Sequence, residues 1–492
     1  METFFCSQCS RKYESESGLR KHNKKCRVGT IETVTLARIE GSPPASLNRI
    51  TTVLNSNSDL ETQSMDVCME QYAQQLKTTE LVSQECFSRE LRYLIRQASH
   101  GDPVKQYELA LYYKMNASEN EQDLSSALRY FRLSAEQGYA PAQCALALCF
   151  YEGVGLEKNI NNAICLYQKA AAQNYAEAQY KLGIHFLNLF SNINGHANDA
   201  MVGIDLISLA AEQGHDSAQY TFATIHESLT GIVPRMSSAI SWYMKSALQG
   251  NALAELSLGR IYFEGSGIKQ NYPEAITWFR MAAAQGLAVA QFYLGLSYKH
   301  GLGIPTDQEK ACQWFHRSAA QGHGAAQNIL GKCYEEGVGV TLNTETAISL
   351  YKASSAKTDF PPALFNLAVG YDCGIGVSID KAMAVKYYTV AAKLGHVLSQ
   401  FNLGVCYRFG DGIPINKSLA IEWFEKAAQR DFAPAQYFLG EMYYDGEGVE
   451  PNYVTALELF QQAVIQNYEP AKRIVLIIFN KRRQATRRRA RK

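Results

Sequence analysis

An all-α fold, an α/α superhelical solenoid of about ten helix pairs, is what this sequence predicts, preceded by a short N-terminal unit of different character. Three observations carry that reading. A junction residue recurs along most of the chain, all four tryptophans fall at one position of the recurring unit, and a cysteine–histidine pattern stands by itself at the start. The junction column holds Gly138, Asn174, Gly214, Gly250, Gly286, Gly322, Asp359, Gly395, Asp431 and Asn467; seven of the nine steps are 36 residues, one (174 to 214) is 40 and one (322 to 359) is 37. A step of that length, sustained, is the signature of stacked supersecondary units. Such units share one continuous core, so 492 residues need not split into the three or four domains that length alone suggests.

Residues 1–30 come first. They read C-x2-C-x12-H-x3-C over Cys6, Cys9, His22 and Cys26, with Tyr13 four residues after Cys9 and Leu19 three before His22. Two thiolates on a tight turn and a His/Cys pair on one helical turn supply four soft ligands in the tetrahedral arrangement that suits Zn2+. About thirty residues bury too little apolar surface to fold alone, so metal binding would supply the folding energy. The pattern resembles a zinc finger of the Cys-Cys-His-His type with cysteine as last ligand, which implies a ββα unit whose small core is Tyr13 and Leu19. By the same resemblance the base-reading positions would be Ser15, Gly18 and Lys21, two of them poor readers, and a lone finger covers about three base pairs. Arg20, Lys24, Lys25 and Arg27 could meet phosphates, which gives affinity without sequence choice. Non-specific nucleic-acid contact and a protein-binding finger both stay open.

Residues 31–66, rich in Ser, Thr and Asn and interrupted by Pro43-Pro44, read as a flexible linker. Residues 67–101 resume a helical pattern, with Leu91, Leu94 and Ile95 forming an apolar face suited to capping the array.

The array proper is expected over 102–480. One unit runs from Asn251 to Gly286: a first helix over about Ala252 to Glu264, the turn Gly265-Ser266-Gly267-Ile268, and a second helix over about Pro273 to Gln285. Glycines in the turn allow φ > 0 for a helix stop and reversal, and Asn271 and Asn452 stand where helices should start. Gly183, Gly259, Gly295, Gly331, Gly404 and Gly440 share a column expected to let a neighbouring helix backbone approach. Trp242, Trp278, Trp314 and Trp423 share another, expected to be the buried seam. Turns after Tyr113, His185 and His226 lack the double glycine, and the second carries a four-residue insertion near Ser191 to His196, so irregularities are expected there.

The unit A-x-A-Q-x-x-L-G-x-x-Y-x-x-G-x-G, as in Ala326-Gln327, Leu330-Gly331 and Tyr334 or Ala435-Gln436, Leu439-Gly440 and Tyr443, closely resembles the Sel-1-like repeat, a relative of the tetratricopeptide repeat. The resemblance implies an adaptor that binds proteins, with the first helices lining a concave face; Asn328, Asn366, Asn402 and Arg408 would be among its side chains.

The chain closes on residues 481–492, with eight basic groups and no acid. Residues 1–30 carry a net +4, which leaves −11 for the residues between, against +1 overall. Basic ends flanking an acidic array suit a polyanion or an import receptor as readily as plain solvation. No apolar run approaches a membrane span, no secretory signal opens the chain, and the 12 cysteines are not paired within repeats, so an intracellular protein of nucleus or cytoplasm with free thiols is expected. The turns look like phosphate loops but lack a preceding strand and a Lys-Ser/Thr pair, and no nucleophile elbow or second metal pair appears, so no enzyme is expected. The leading function is an intracellular adaptor; the alternative is a nucleic-acid-associated protein using the finger and the tail.

Overall fold

A computed structural model describes residues 4–5, 12–13, 91–116, 121–191, 197–228, 236–356 and 360–489. The chain divides into two compact units, Met1–Val82 and Ser83–Lys492. In the first, β1 (Phe4–Phe5) pairs antiparallel with β2 (Lys12–Tyr13), Phe4 opposite Tyr13 and Phe5 opposite Lys12. The expected ligands Cys6, Cys9, His22 and Cys26, the linker and the first part of the cap lie outside the described residues, as do the expected irregular turns at 117–120, 192–196 and 229–235.

The second unit is a helical array. A helix over 91–99 leads into α1 (Pro103–Asn116) and α2 (Glu121–Glu136), α3 (Ala140–Glu152) and α4 (Ile160–Ala172), α5 (Ala176–Ser191) and α6 (Ala197–Glu212), α7 (Asp216–Ser228) and α8 (Met236–Ala247), α9 (Ala252–Glu264) and α10 (Tyr272–Ala284). There follow α11 (Ala288–His300) and α12 (Gln308–Ala320), α13 (Gly324–Glu336) and α14 (Thr344–Ala356), α15 (Pro361–Cys373) and α16 (Lys381–Lys393), α17 (Val397–Phe409) and α18 (Lys417–Ala428), α19 (Ala433–Asp445) and α20 (Tyr453–Ile465), and a closing helix α21 (Glu469–Arg489). Each helix packs mainly on its pair-mate and on the next pair, the nearest-neighbour pattern of a solenoid. The ten pairs and the single last helix match the expectation. The basic tail is continuous with α21 as far as Arg489.

The junction column is the left-handed column. Its described glycines have φ between 82° and 94°, and Asn174, Asp431 and Asn467 adopt φ of 61°, 57° and 63°; among the described residues these three are the only non-glycines with positive φ. Asn and Asp are the side chains that tolerate this region best. The Gly-x-Gly turns behave likewise, Gly265 stopping α9 at φ 75° by donating to Ile261 O. The next helix then starts at Asn271, whose side chain accepts from Glu274 N, as Asn452 does from Val454 N and Thr455 N.

Two columns differ from expectation. The helix glycines accommodate a ring, not a backbone: a Cβ at Gly259, Gly295, Gly331, Gly404 or Gly440 would stand 2.5–2.8 Å from Phe279, Phe315, Tyr351, Phe424 or Phe460 of the paired second helix. Backbone approach occurs at Gly183, facing Gly203 O of α6. The ring thus received belongs to the residue after the tryptophan column, and Phe131, Tyr167, Ile207, Tyr243, Phe279, Phe315, Tyr351, Tyr388, Phe424 and Phe460 are all buried. Trp278 is buried as well, but Trp242, Trp314 and Trp423 are half-buried, pack against the core of the preceding repeat, and carry Lys245, Arg317 and Lys426 over their rings at 3.6, 4.6 and 3.9 Å. A helix position one residue on turns about 100°, which separates a column facing its pair-mate from one facing the previous repeat.

The 40-residue step is absorbed by length. Both α5 and α6 have 16 residues where most helices of the array have 13. On α21, Leu476 occupies the glycine column and is 63% exposed, with no second helix against it among the described residues.

Candidate protein-binding surface

The first helices are joined to one another along the array by side chains. Asn366 Nδ2 donates to Asn328 Oδ1 (2.9 Å), Arg260 Nη2 to Glu227 Oε1 (2.6 Å), and His215 Nε2 meets Glu177 Oε2 (2.6 Å). Arg408 is buried between Phe409 and Phe438, its Nη1 on Glu441 Oε2 (3.0 Å) and its Nε on Glu447 Oε2 (3.1 Å). Arg408 is therefore a strut between the last two repeats, not a free groove side chain as expected from sequence. Asn328, Asn366 and Asn402 are half-buried, and Asn366 and Asn328 bond each other.

At three of the four buried tyrosines of this column an acid stands sixteen residues earlier; Tyr167, with Tyr151 there, is the exception. Tyr243 donates to Glu227 Oε2 (2.5 Å), Tyr351 to Glu335 Oε2 (2.6 Å) and Tyr388 to Asp372 Oδ2 (3.4 Å). Burial, then the acid beside them, pushes the phenols of Tyr243 and Tyr351 up, so they remain donors. Where the ring is Phe279, Phe315 or Phe424, the earlier position holds Phe263, Lys299 or Arg408.

A second network runs beneath this face. The glutamine of the repeat motif donates to a carbonyl eight residues back (Gln179 instead to Asn174 Oδ1, 3.0 Å) and accepts from a glutamine of the same repeat's second-helix end. Gln143 Nε2 reaches Ala135 O (3.2 Å) while Gln173 Nε2 reaches Gln143 Oε1 (2.9 Å). The amide–amide rung repeats at Gln106/Gln137, Gln179/Gln213, Gln219/Gln249, Gln291/Gln321 and Gln436/Gln466, over 2.6–2.9 Å. In the fifth repeat Glu255, buried, replaces the amide, and Gln285 donates to its Oε2 (2.9 Å); burial pushes its carboxyl up to about 7. In the ninth, Arg430 donates to Gly395 O (2.9 Å), and the buried Gln400 Oε1 has no partner among the described residues.

Three first helices are capped by histidine. Nδ1 of His215, His323 and His396 accepts from the amides of Ala218, Ala326 and Ser399 at 3.1–3.3 Å. Burial lowers the pKa of His323 and His396, which agrees with an unprotonated acceptor nitrogen.

At one shared position near their N-termini, four first helices expose an apolar side chain: Val104, Leu253, Val289 and Leu398. Among the described residues, Cys144, Cys149, Cys312, Cys333 and Cys406 are buried free thiols, and Cys165 and Cys373 are exposed. No group of three or more His, Cys, Asp or Glu among the described residues could hold a metal ion, and no described helix is long and apolar enough to cross a membrane. The rungs and the tyrosine–acid pairs were missed from sequence. The signal was there, because Gln stands at both rung positions in six repeats and Tyr in the buried column pairs with an acid sixteen residues before it in three.

A profile of the Sel1 repeat matches ten consecutive segments: residues 103–139, 140–175, 176–215, 218–251, 252–287, 288–323, 324–359, 361–396, 397–432 and 433–468. Among solved structures, the chain is similar to c5321, a protective antigen present in uropathogenic Escherichia coli strains and displaying an SLR fold (30% identity, 80% of this chain and 90% of that one covered, TM-score 0.57). It is also similar to a Sel1 repeat protein from Oxalobacter formigenes (28% identity, 68% and 93% covered, TM-score 0.50). No curated protein matches the chain.

Proposed function

From the premise that this chain belongs to the Sel1 repeat family, we propose that it is an intracellular adaptor that holds protein partners along the first helices of its array. The observation that carries this reading is the pairing of two features just described: polar side chains bond repeat to repeat, and an exposed apolar row stands on the first helices. Side-chain bonds that join first helix to first helix support these helices as the inner side, the surface solenoids use for extended partners. The test is affinity capture from cells with the full chain and with a Leu253→Asp, Val289→Asp, Leu398→Asp variant. Partners identified by mass spectrometry should be lost from the variant while its melting temperature stays within a few degrees. Equal recovery of all partners would move the site elsewhere.

The N-terminal thirty residues we assign, as a further part of the same reading, to a Zn2+ site on Cys6, Cys9, His22 and Cys26. The antiparallel pairing of Phe4–Phe5 with Lys12–Tyr13 supports it, because both cysteines of the C-x2-C pair then fall in the connection between two paired strands. Zn2+ there would supply folding energy, not chemistry. The eight charges of residues 481–492 favour an import receptor or nucleic acid as partner of the tail. Deleting 481–492 from a fluorescently tagged chain decides this: nuclear signal lost on deletion supports an import segment, and unchanged distribution removes it.

A further inference from the structure

The turn edge of repeats seven to ten differs from that of the second, fifth and sixth. Leu342, Ile379, Ile415 and Pro451 occupy the same position, the residue before each second-helix N-cap, in four consecutive repeats. The first three are 65%, 64% and 62% exposed, and Pro451 is exposed too. Each side chain lies back over the turn glycine, 2.7–3.2 Å from where a Cβ on Gly337, Gly374, Gly410 or Gly446 would stand, so the stripe is held in place. The same position holds Lys158, Gln270 and Thr306 in the second, fifth and sixth repeats. Phe409, 60% exposed, and Tyr453 and Val454 add further exposed apolar residues to the ninth and tenth repeats. Scattered apolar residues on a surface need no explanation, but a line of four does.

The charge along this edge is one-sided. The segments 335–346, 372–383, 408–419 and 444–455 contain nine acidic residues and three basic ones. All three cations are engaged: Lys381 with Asp372 and Asp411, Arg408 with Glu441 and Glu447, Lys417 with Glu447. Glu345, Asp380, Asp445 and Glu450 form no ion pair among the described residues and are exposed. We propose that this edge binds an extended, basic segment of a partner protein carrying a large apolar side chain at every third residue. The spacing follows from geometry. First helices of neighbouring repeats touch, as Asn328 and Asn366 show, and touching helices lie roughly 8–10 Å apart. An extended peptide advances about 3.3 Å per residue, so three residues span one step and about ten span the stripe. The chain's own residues 481–492 are basic but contain no large apolar side chain, so they lack half of the required chemistry.

The edge is distinct from the apolar row on the first helices, so its test is independent of the adaptor site. The probe is the fluorescein-labelled peptide Ile-Lys-Lys-Ile-Lys-Lys-Ile-Lys-Lys-Ile, titrated with the full chain by fluorescence anisotropy. Binding should weaken at least tenfold for a Leu342→Ser, Ile379→Ser, Ile415→Ser variant with unchanged melting temperature. It should weaken comparably when the probe's isoleucines become serines or its lysines become glutamates. If the triple variant melts early, Ile415→Ser alone carries the test at a several-fold loss. Equal binding by the variant, or by the serine peptide, overturns the proposal. So does a concentration-dependent self-association abolished by the same substitutions, which would make a second copy the occupant. A tenfold gain in probe affinity on deleting 481–492 overturns it too, in favour of the tail.

Discussion

Gln285 Nε2 donates to Glu255 Oε2 at 2.9 Å, in a rung where every comparable bond joins two amides. The column's glutamines, Gln179 excepted, donate with their other end to a carbonyl eight residues back, which for Glu255 is Ala247 O. A carboxylate cannot donate there; a carboxylic acid can. Burial lifts Glu255 from the usual carboxylate range to about 7.

The sign of the linkage follows. The folded pKa lies above the unfolded one, so the contribution is fully present below about pH 4.5 and is lost as pH rises through about 7. Glu255→Gln should therefore raise stability at pH 8 by about 2–3 kcal/mol and leave it little changed at pH 4. Urea melts of both proteins at the two pH values check this, and a pH-independent difference would refute it.

Arg430→Gln should complete a broken rung. Gln400 Oε1 is buried without a partner among the described residues, and a Gln–Gln rung stands at this place in six other repeats. The gain should be about 1 kcal/mol, after loss of the exposed Arg430–Gly395 bond. Thermal unfolding at neutral pH measures it.

Gly331 faces the ring of Tyr351, itself fixed by Glu335. Gly331→Leu should cost about 3 kcal/mol by overpacking. Gly331→Ala should stay within about 1 kcal/mol of the native protein, because the helix-propensity gain offsets a small shift, and Ala368 already stands in this column opposite Tyr388. The contrast between the two variants in chemical denaturation is the diagnostic.

Asn467, at φ 63°, should accept glycine with little change and lose about 1–2 kcal/mol to valine, whose branched Cβ opposes the left-handed region. Asp431 should behave alike. Calorimetry on the four variants tests the column.

The proposed zinc site predicts one metal per chain. Elemental analysis of the full chain should return about one Zn2+ (Cys6, Cys9, His22 and Cys26 form a single four-ligand set), falling to none in Cys9→Ser, with the melting of the array unmoved.

Period and composition made the array legible before any coordinates: ten pairs, their turns, their caps and the unpaired last helix. Azimuth was not legible. The tryptophan column and the column after it have the same period, and only packing shows that Phe279 and its equivalents face the pair-mate while Trp314 faces the previous repeat. Arg408 was misplaced for a related reason: its partners Glu441 and Glu447 lie a full repeat away, a distance that local pattern does not span. The exposed stripe at Leu342, Ile379 and Ile415 was equally invisible, since a residue's exposure over a glycine turn depends on what surrounds the turn.

Leu476 gives the array a stop signal. An aromatic ring from a following helix needs a position with no side chain, or at most a methyl group, and at 476 it would meet an isobutyl group instead. A second helix laid on α21 in the register of the other pairs would thus be opposed sterically at this one residue, much as a bulky end group opposes the next unit of a polymer. Anyone grafting further repeats onto this scaffold would have to begin by restoring glycine there.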